Sequence, residues 1–251
     1  MNRKRYDILG LSIDAVSFHE AVRLVVDWGK ERRSAYTCFA NVHMTMEARN
    51  NKEFSDIVNN ASLVLADGKP IAKSFEWLYN KKQERIAGMD FVPALFAAAA
   101  KDKLKVFLFG STEETLSKIS KKVESDYGND LLAGVFSPPF RQLTVLEELT
   151  IIDKINQSGA NLVLVALGCP RQEKWMAKNY SNINAPLLGV GGAFAVYAGL
   201  QKRSPVWMQK AGLEWAYRLG QEPTRLFKRY LTTNSQFVFQ LLVALSRKAR
   251  V

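Results

Sequence analysis

Lys105-Val-Phe-Leu-Phe-Gly110, followed at once by Ser111-Thr-Glu-Glu114, reads as an apolar strand, a glycine turn and a helix start in which Ser111 and Glu114 form a capping box. Asn161-Leu-Val-Leu-Val-Ala-Leu167 is apolar without a break, the pattern of a strand covered by helices on both faces. Other β-rich runs stand at 35–40, 63–66, 131–136 and 187–190, and the stretches between them show helical periodicity. Such alternation produces parallel strands joined by crossover helices. The expected fold is α/β: a Rossmann-like, mostly parallel sheet sandwiched by helices, followed by a basic helical appendage.

The 251 residues, 47% apolar and 24% charged, suit one large domain or one domain with an addition, and exclude a disordered chain. The formal net charge is +11. Residues 202–251 hold ten Lys/Arg against Glu214 and Glu222, a net of +8, which leaves +3 for residues 1–201. A catalytic domain at 1–201 and a basic appendage at 202–251 are therefore expected, and the excess charge points to an anionic partner. Two cysteines, Cys38 and Cys169, cannot make a disulfide framework, and no charged-apolar-small signal segment opens the chain. A reducing cytoplasm is the expected compartment.

In the appendage, Phe237, Val238, Leu241, Leu242 and Leu245 recur at helical spacing. Their apolar run is far shorter than the roughly 20 residues that span a bilayer core. The stripe can dock on the protein core, or lie on a membrane surface where each neighbouring Lys or Arg contributes about 1 kcal/mol.

Ligands of open parallel sheets bind beyond the carboxyl ends of the strands. Four such ends carry unusual residues: Asn41, Asp67-Gly68, Gly168-Cys-Pro-Arg-Gln-Glu173 and Gly189-Val-Gly-Gly192. Gly191 and Gly192 would let a phosphate approach the backbone, or simply make a tight turn. Asp67 is a base at the crevice floor or the N-cap of the next helix. Asp90, before Phe91, has the same two readings, and Arg85 could serve a phosphate or a surface ion pair. Arg171 and Gln172 in a helical first turn suit a planar polar ligand, or water. No dinucleotide G-x-G-x-x-G, Walker motif or Asp-x-Asp is present, and His19 and His43 with the cysteines lack metal-ligand spacing. No cofactor and no metal site are expected, and a nucleic-acid module would leave Asp67 without a role. A dinucleotide-dependent or merely UDP-sugar-binding α/β protein remains the alternative.

Asn41, Ala66-Asp67-Gly68, Arg85-Ile-Ala-Gly-Met-Asp90, Phe107-Leu-Phe-Gly110, Gly168-Cys-Pro-Arg-Gln-Glu173, Gly189-Val-Gly-Gly-Ala-Phe194 and Leu213-Glu-Trp-Ala-Tyr-Arg218 together resemble the WecG/TagA/CpsF family, over about residues 6 to 230. The resemblance implies an inverting glycosyltransferase of family 26, moving a sugar from a UDP-sugar to a membrane-anchored polyprenyl-diphosphate saccharide. The products are teichoic acid linkage units, common antigen, capsule or exopolysaccharide. It implies Asp67 as base, Gln172 at the glycosyl site, Asn41, Arg85, Asp90, Gly110, Gly168, Arg171, Gly191 and Gly192 around the donor, and Arg218, Arg225 and Lys228 closing over the diphosphate. Some relatives carry threonine where this chain has Phe39, and Ser137-Pro-Pro-Phe140 points to the exopolysaccharide branch. The protein would then sit peripherally on the inner face of the cell membrane.

Overall fold

The computed structural model describes residues 3–248, apart from the side chains at 210, 225 and 229. The chain opens with β1 (Arg5–Ile8) and β2 (Leu11–Asp14), then α1 (Phe18–Lys30), β3 (Ala35–Ala40), α2 (Val42–Asn50), α3 (Lys52–Asn59) and β4 (Leu63–Ala66). Next come α4 (Lys69–Tyr79), α5 (Gly88–Lys101), β5 (Val106–Gly110), α6 (Glu113–Tyr127), β6 (Leu132–Phe136), α7 (Val145–Gln157) and β7 (Leu162–Ala166). Then follow α8 (Arg171–Asn179), β8 (Pro186–Gly189), α9 (Ala193–Tyr197), α10 (Val206–Ala211), α11 (Glu214–Gln221) and α12 (Pro223–Lys248).

Strands β3 to β8 form one sheet in the order β4-β3-β8-β7-β5-β6, and every pairing is parallel. Side-chain alternation divides β7 between two apolar layers. Leu162 and Leu164 join the layer of α1, α5 and α6, whereas Val163 and Val165 join that of α2, α3, α4 and α8. All four are fully buried, which stabilises the sheet by roughly 1.5–3 kcal/mol per side chain relative to exposure. The three-layer α/β sandwich read from the sequence is the architecture observed.

Two local features differ from the sequence reading. The helix after β5 is capped by Thr112, whose hydroxyl accepts from the Thr115 N–H at 3.2 Å; Ser111 does not cap it. Gly110 and Ser111 both take positive φ, +105° and +62°, to turn the chain, so the first extended residue that can cap is Thr112. The second is the β1–β2 hairpin, which the periodicity does not reveal. It shields the β4 edge: the buried Asp14 carboxylate accepts the Val64 N–H at 2.8 Å and pairs with Arg3 and Arg5 at 3.1 and 3.2 Å.

The appendage helix α12 packs on α2 and α4. Its apolar stripe divides: Phe237 and Leu241 sink into the core, while Val238 and Leu242 stay more than half exposed. Of the two positions the sequence left open, core docking is the one that Phe237 and Leu241 adopt. Among the described residues no helix is long and apolar enough to cross a membrane.

Candidate functional site

The sheet order sets β4, β3, β8 and β7 side by side, and these are the four strands whose carboxyl ends carry the special residues. With neighbouring strands about 4.8 Å apart, their ends span roughly 14 Å. The appendage roofs this edge and encloses a cleft of about 2220 Å³. Asn41, Asp67, Gly168, Gln172, Gly191, Gly192 and Arg218 all line it.

Asp67 follows β4, its backbone N–H donating to the Ala40 carbonyl at 2.9 Å. The helix that follows has Gly68 as N-cap, at φ +94° and with no side-chain cap bond. Asp67 is therefore not spent on the cap, one of the two roles open to it in the sequence. Burial raises its carboxyl pKa from the ordinary 3.8 to about 6; Glu214 adds to the rise, whereas Arg85, a hydrogen bond from Asn41 and Arg218 oppose it. At neutral pH the group is mostly ionised yet basic enough to accept a proton. Asn41 is held in place as the N-cap of α2, its Oδ1 accepting the Met44 N–H at 3.1 Å, which turns its amide nitrogen toward Asp67.

Arg218 reaches down from α11. Its guanidinium lies 3.2 Å from the point where a side chain on Gly192 would begin, so a residue larger than glycine there would oblige it to give by a few tenths of an ångström. Arg218 has no ion pair or hydrogen bond among the described residues, and its Nε is buried without a partner. A free guanidinium over a glycine turn is an anion receptor.

Other residues expected at the donor are placed differently. Arg85 donates to Glu214 at 2.6 Å and to Asp90 at 2.8 Å, and Asp90 also accepts from Arg203. These four charges fasten the appendage to the catalytic layer, so Arg85 and Asp90 act on the site through Glu214 and Asp67. Neither lines the cleft. Gly110 lies on β5, one strand beyond the crevice, where a side chain would meet the Ala166 backbone at 2.6 Å; its role is close strand packing. Arg171 points to solvent from α8. Lys228 is exposed on α12 and outside the cleft, because it stands two residues before the cleft-lining Tyr230, about 200° round the helix. The side chain of Arg225 is outside the described residues.

The sequence reading did not single out Glu214 as a site residue, since its partner Arg85 is 129 positions away. It also missed the apolar limb of the cleft, which Trp77 lines together with Val238 and Leu242. Trp77 lies off the buried stripe of α4 (Ile71, Phe75, Leu78), and an apolar residue out of register with its helix was the available signal. Phe39 is 3% exposed, packs edge-on against Phe91 at 5.2 Å and gives the cleft floor an apolar patch.

This geometry defines a class: an α/β protein whose cleft sets a buried carboxylate and an arginine without a protein partner among the described residues at one sheet edge. The chain belongs to the WecG/TagA/CpsF family of glycosyltransferases, whose family model matches residues 6–251. It is 32% identical over 194 residues, covering 76% of this chain and 73% of the relative, to an N-acetylglucosaminyldiphosphoundecaprenol N-acetyl-beta-D-mannosaminyltransferase of Bacillus subtilis (strain 168). The protein is thus a glycosyltransferase.

The opposed effects of Glu214 and Arg85 on Asp67 give a test. Glu214→Gln should move the acid limb of the kcat/KM pH profile to lower pH, and Arg85→Met should move it to higher pH. Shifts in the same direction would show that the two charges do not act on Asp67 separately.

Proposed function

We propose that the protein transfers a sugar, with inversion, from a UDP-sugar to a polyprenyl-diphosphate-linked saccharide in the synthesis of a cell-surface polysaccharide, at an anionic membrane surface and without a divalent metal. The observation that carries this is the meeting of Asp67 and Arg218 in one cleft with an apolar limb. The acceptor named for the Bacillus subtilis relative, a sugar on diphosphoundecaprenol, has the polar head and apolar tail that such a cleft would take.

In the proposed reaction the acceptor hydroxyl gives its proton to Asp67 as its oxygen attacks the anomeric carbon. The bond from that carbon to the diphosphate breaks on the opposite face, and its electron pair stays on the β-phosphate oxygen. Arg218 meets the charge that develops there. Arg218 lines the cleft with its Nε buried and without a partner among the described residues, and on this reading it takes the place of a metal ion. On the outer side of the appendage Trp207, Phe227, Leu231 and Phe239 are each more than 60% exposed, alongside the basic Lys228 and Arg247. Aromatic and aliphatic groups beside cations suit a leaflet that carries the lipid acceptor.

The test is a panel of UDP-sugars with a short-chain polyprenyl-diphosphate saccharide, in buffer and in anionic liposomes, with and without EDTA. Transfer from a UDP-sugar, undiminished by EDTA and faster on liposomes, is expected. Absence of transfer from every donor would refute the reading, and a strict metal requirement would refute its account of the leaving group.

A further inference from the structure

Gln172 lies in the first turn of α8, 4% exposed, with its amide at the cleft wall. Its Nε2 donates to the Gly189 carbonyl at 2.9 Å and to Glu173 Oε1 at 2.8 Å. Its Oε1 accepts the Gly168 N–H at 3.2 Å. An amide nitrogen has two protons, and the protein consumes both. A carbonyl oxygen has two lone pairs, and only one is taken. The opposite orientation of the amide would set Nε2 against the Gly168 N–H and Oε1 against the Gly189 carbonyl, two repulsive contacts with fixed backbone groups. Oε1 stands beside Gly191, a residue that also lines the cleft and whose side chain would begin 3.2 Å from it.

Glu173 completes this arrangement from behind. It is fully buried, its Oε2 has no hydrogen-bond partner among the described residues, and the Cys169 thiol lies beside it. Burial pushes its carboxyl up to about 7, against hydrogen bonds from Gln172, its own backbone N–H and the Cys169 thiol, of which that from Gln172 lowers it most. A carboxyl kept in apolar surroundings at such cost to its charged form requires a local reason, and the hydrogen bond it accepts at 2.8 Å is from the second proton of the Gln172 amide.

We propose that Glu173 is a positioning residue which, with Gly168 and Gly189, fixes the Gln172 amide so that the cleft is offered an acceptor only, and that the substrate group bound there is a hydrogen-bond donor: a sugar hydroxyl or an acetamido N–H. The proposal rests on reading the cleft as a sugar-transfer site and adds the polarity of one contact. A sugar carbonyl or ether oxygen presented at that point would face another oxygen and be rejected.

The experiment measures Kd for UDP and for the UDP-sugar that the wild-type enzyme uses. Glu173→Leu should weaken UDP-sugar binding by about 5- to 30-fold, the loss expected for one fixed hydrogen bond, with UDP binding changed far less. Glu173→Gln, whose carbonyl can still accept from Gln172, should recover most of that loss. Equal behaviour of the Leu and Gln variants would overturn the positioning role. Polarity is read with the wild type and Gln172→Met, using donors in which each sugar hydroxyl in turn is replaced by hydrogen or by fluorine, and an acetamido N–H by an ester oxygen. One position should lose affinity with hydrogen, fluorine or ester oxygen alike in the wild type, and lose little in Gln172→Met. Retention of affinity by the fluorine or ester analogue at the position sensed by Gln172 would show that Gln172 donates, and would overturn the proposal even if Glu173→Leu fails to fold. A wild-type enzyme that binds no nucleotide sugar would instead overturn the transferase reading itself, a result separable from either outcome.

Discussion

Asp67→Asn should lower turnover by roughly two to four orders of magnitude while UDP binding stays nearly intact, the range expected for loss of a general base. The same substitution should raise Tm at neutral pH. The Asp67 carboxyl titrates near 6 in the folded protein against about 3.8 in an unfolded chain, so the folded state holds the proton more tightly between those values. Stability contributed by the neutral form is therefore present below about pH 4 and is lost as pH rises through 6. Asparagine avoids that loss, so its advantage in Tm should grow between pH 4 and 6, be complete above pH 6 and vanish below pH 4. In the wild type, kcat should rise through pH 6 as the base ionises. Near-normal turnover in Asp67→Asn would remove Asp67 as base, and an unchanged Tm difference across the pH range would deny its burial.

Arg218→Ala should lower transfer by about two to three orders of magnitude, comparable with removal of one preorganised donor from a developing oxyanion. Unlike Asp67→Asn it should also weaken UDP binding, since the diphosphate is charged before the reaction begins. Arg218→Lys should recover part of the rate only, because an ammonium keeps the charge but lacks the planar fork. Gly192→Ala should mimic the loss in part, as a methyl 3.2 Å from the guanidinium forces it outward. Arg218→Ala within a fewfold of wild type would show that the leaving group is met by something else.

The parallel sheet was legible because strands buried on both faces leave unbroken apolar runs, as in Leu162–Ala166. The hairpin was not. Its turn, Leu9-Gly10, takes positive φ at both residues, 56° and 102°, and a leucine in a place usually filled by asparagine or aspartate gives no signal. At the site, the strand-end residues Asn41, Asp67, Gly168, Gln172, Gly191 and Gly192 could be gathered from sequence because parallel topology sends all strand ends to one edge. Residues fixed by long-range charge could not. Arg85 stayed open between a phosphate and an ion pair until Glu214 and Asp90 were seen on either side of it, and Lys228 looked like a partner of Arg218 until the phase of α12 turned it outward. Periodicity states which face of a helix is apolar, not which neighbour will cover it; hence the divided stripe of Phe237, Val238, Leu241 and Leu242.

A crystal structure of the wild-type enzyme with a non-hydrolysable UDP-sugar is the most direct measurement. It should show the β-phosphate within hydrogen-bond distance of the Arg218 guanidinium above Gly192, and the Asp67 carboxylate facing the anomeric carbon from the side opposite the phosphate. A diphosphate bound away from Arg218, or a sugar whose anomeric carbon Asp67 cannot approach, would contradict the account.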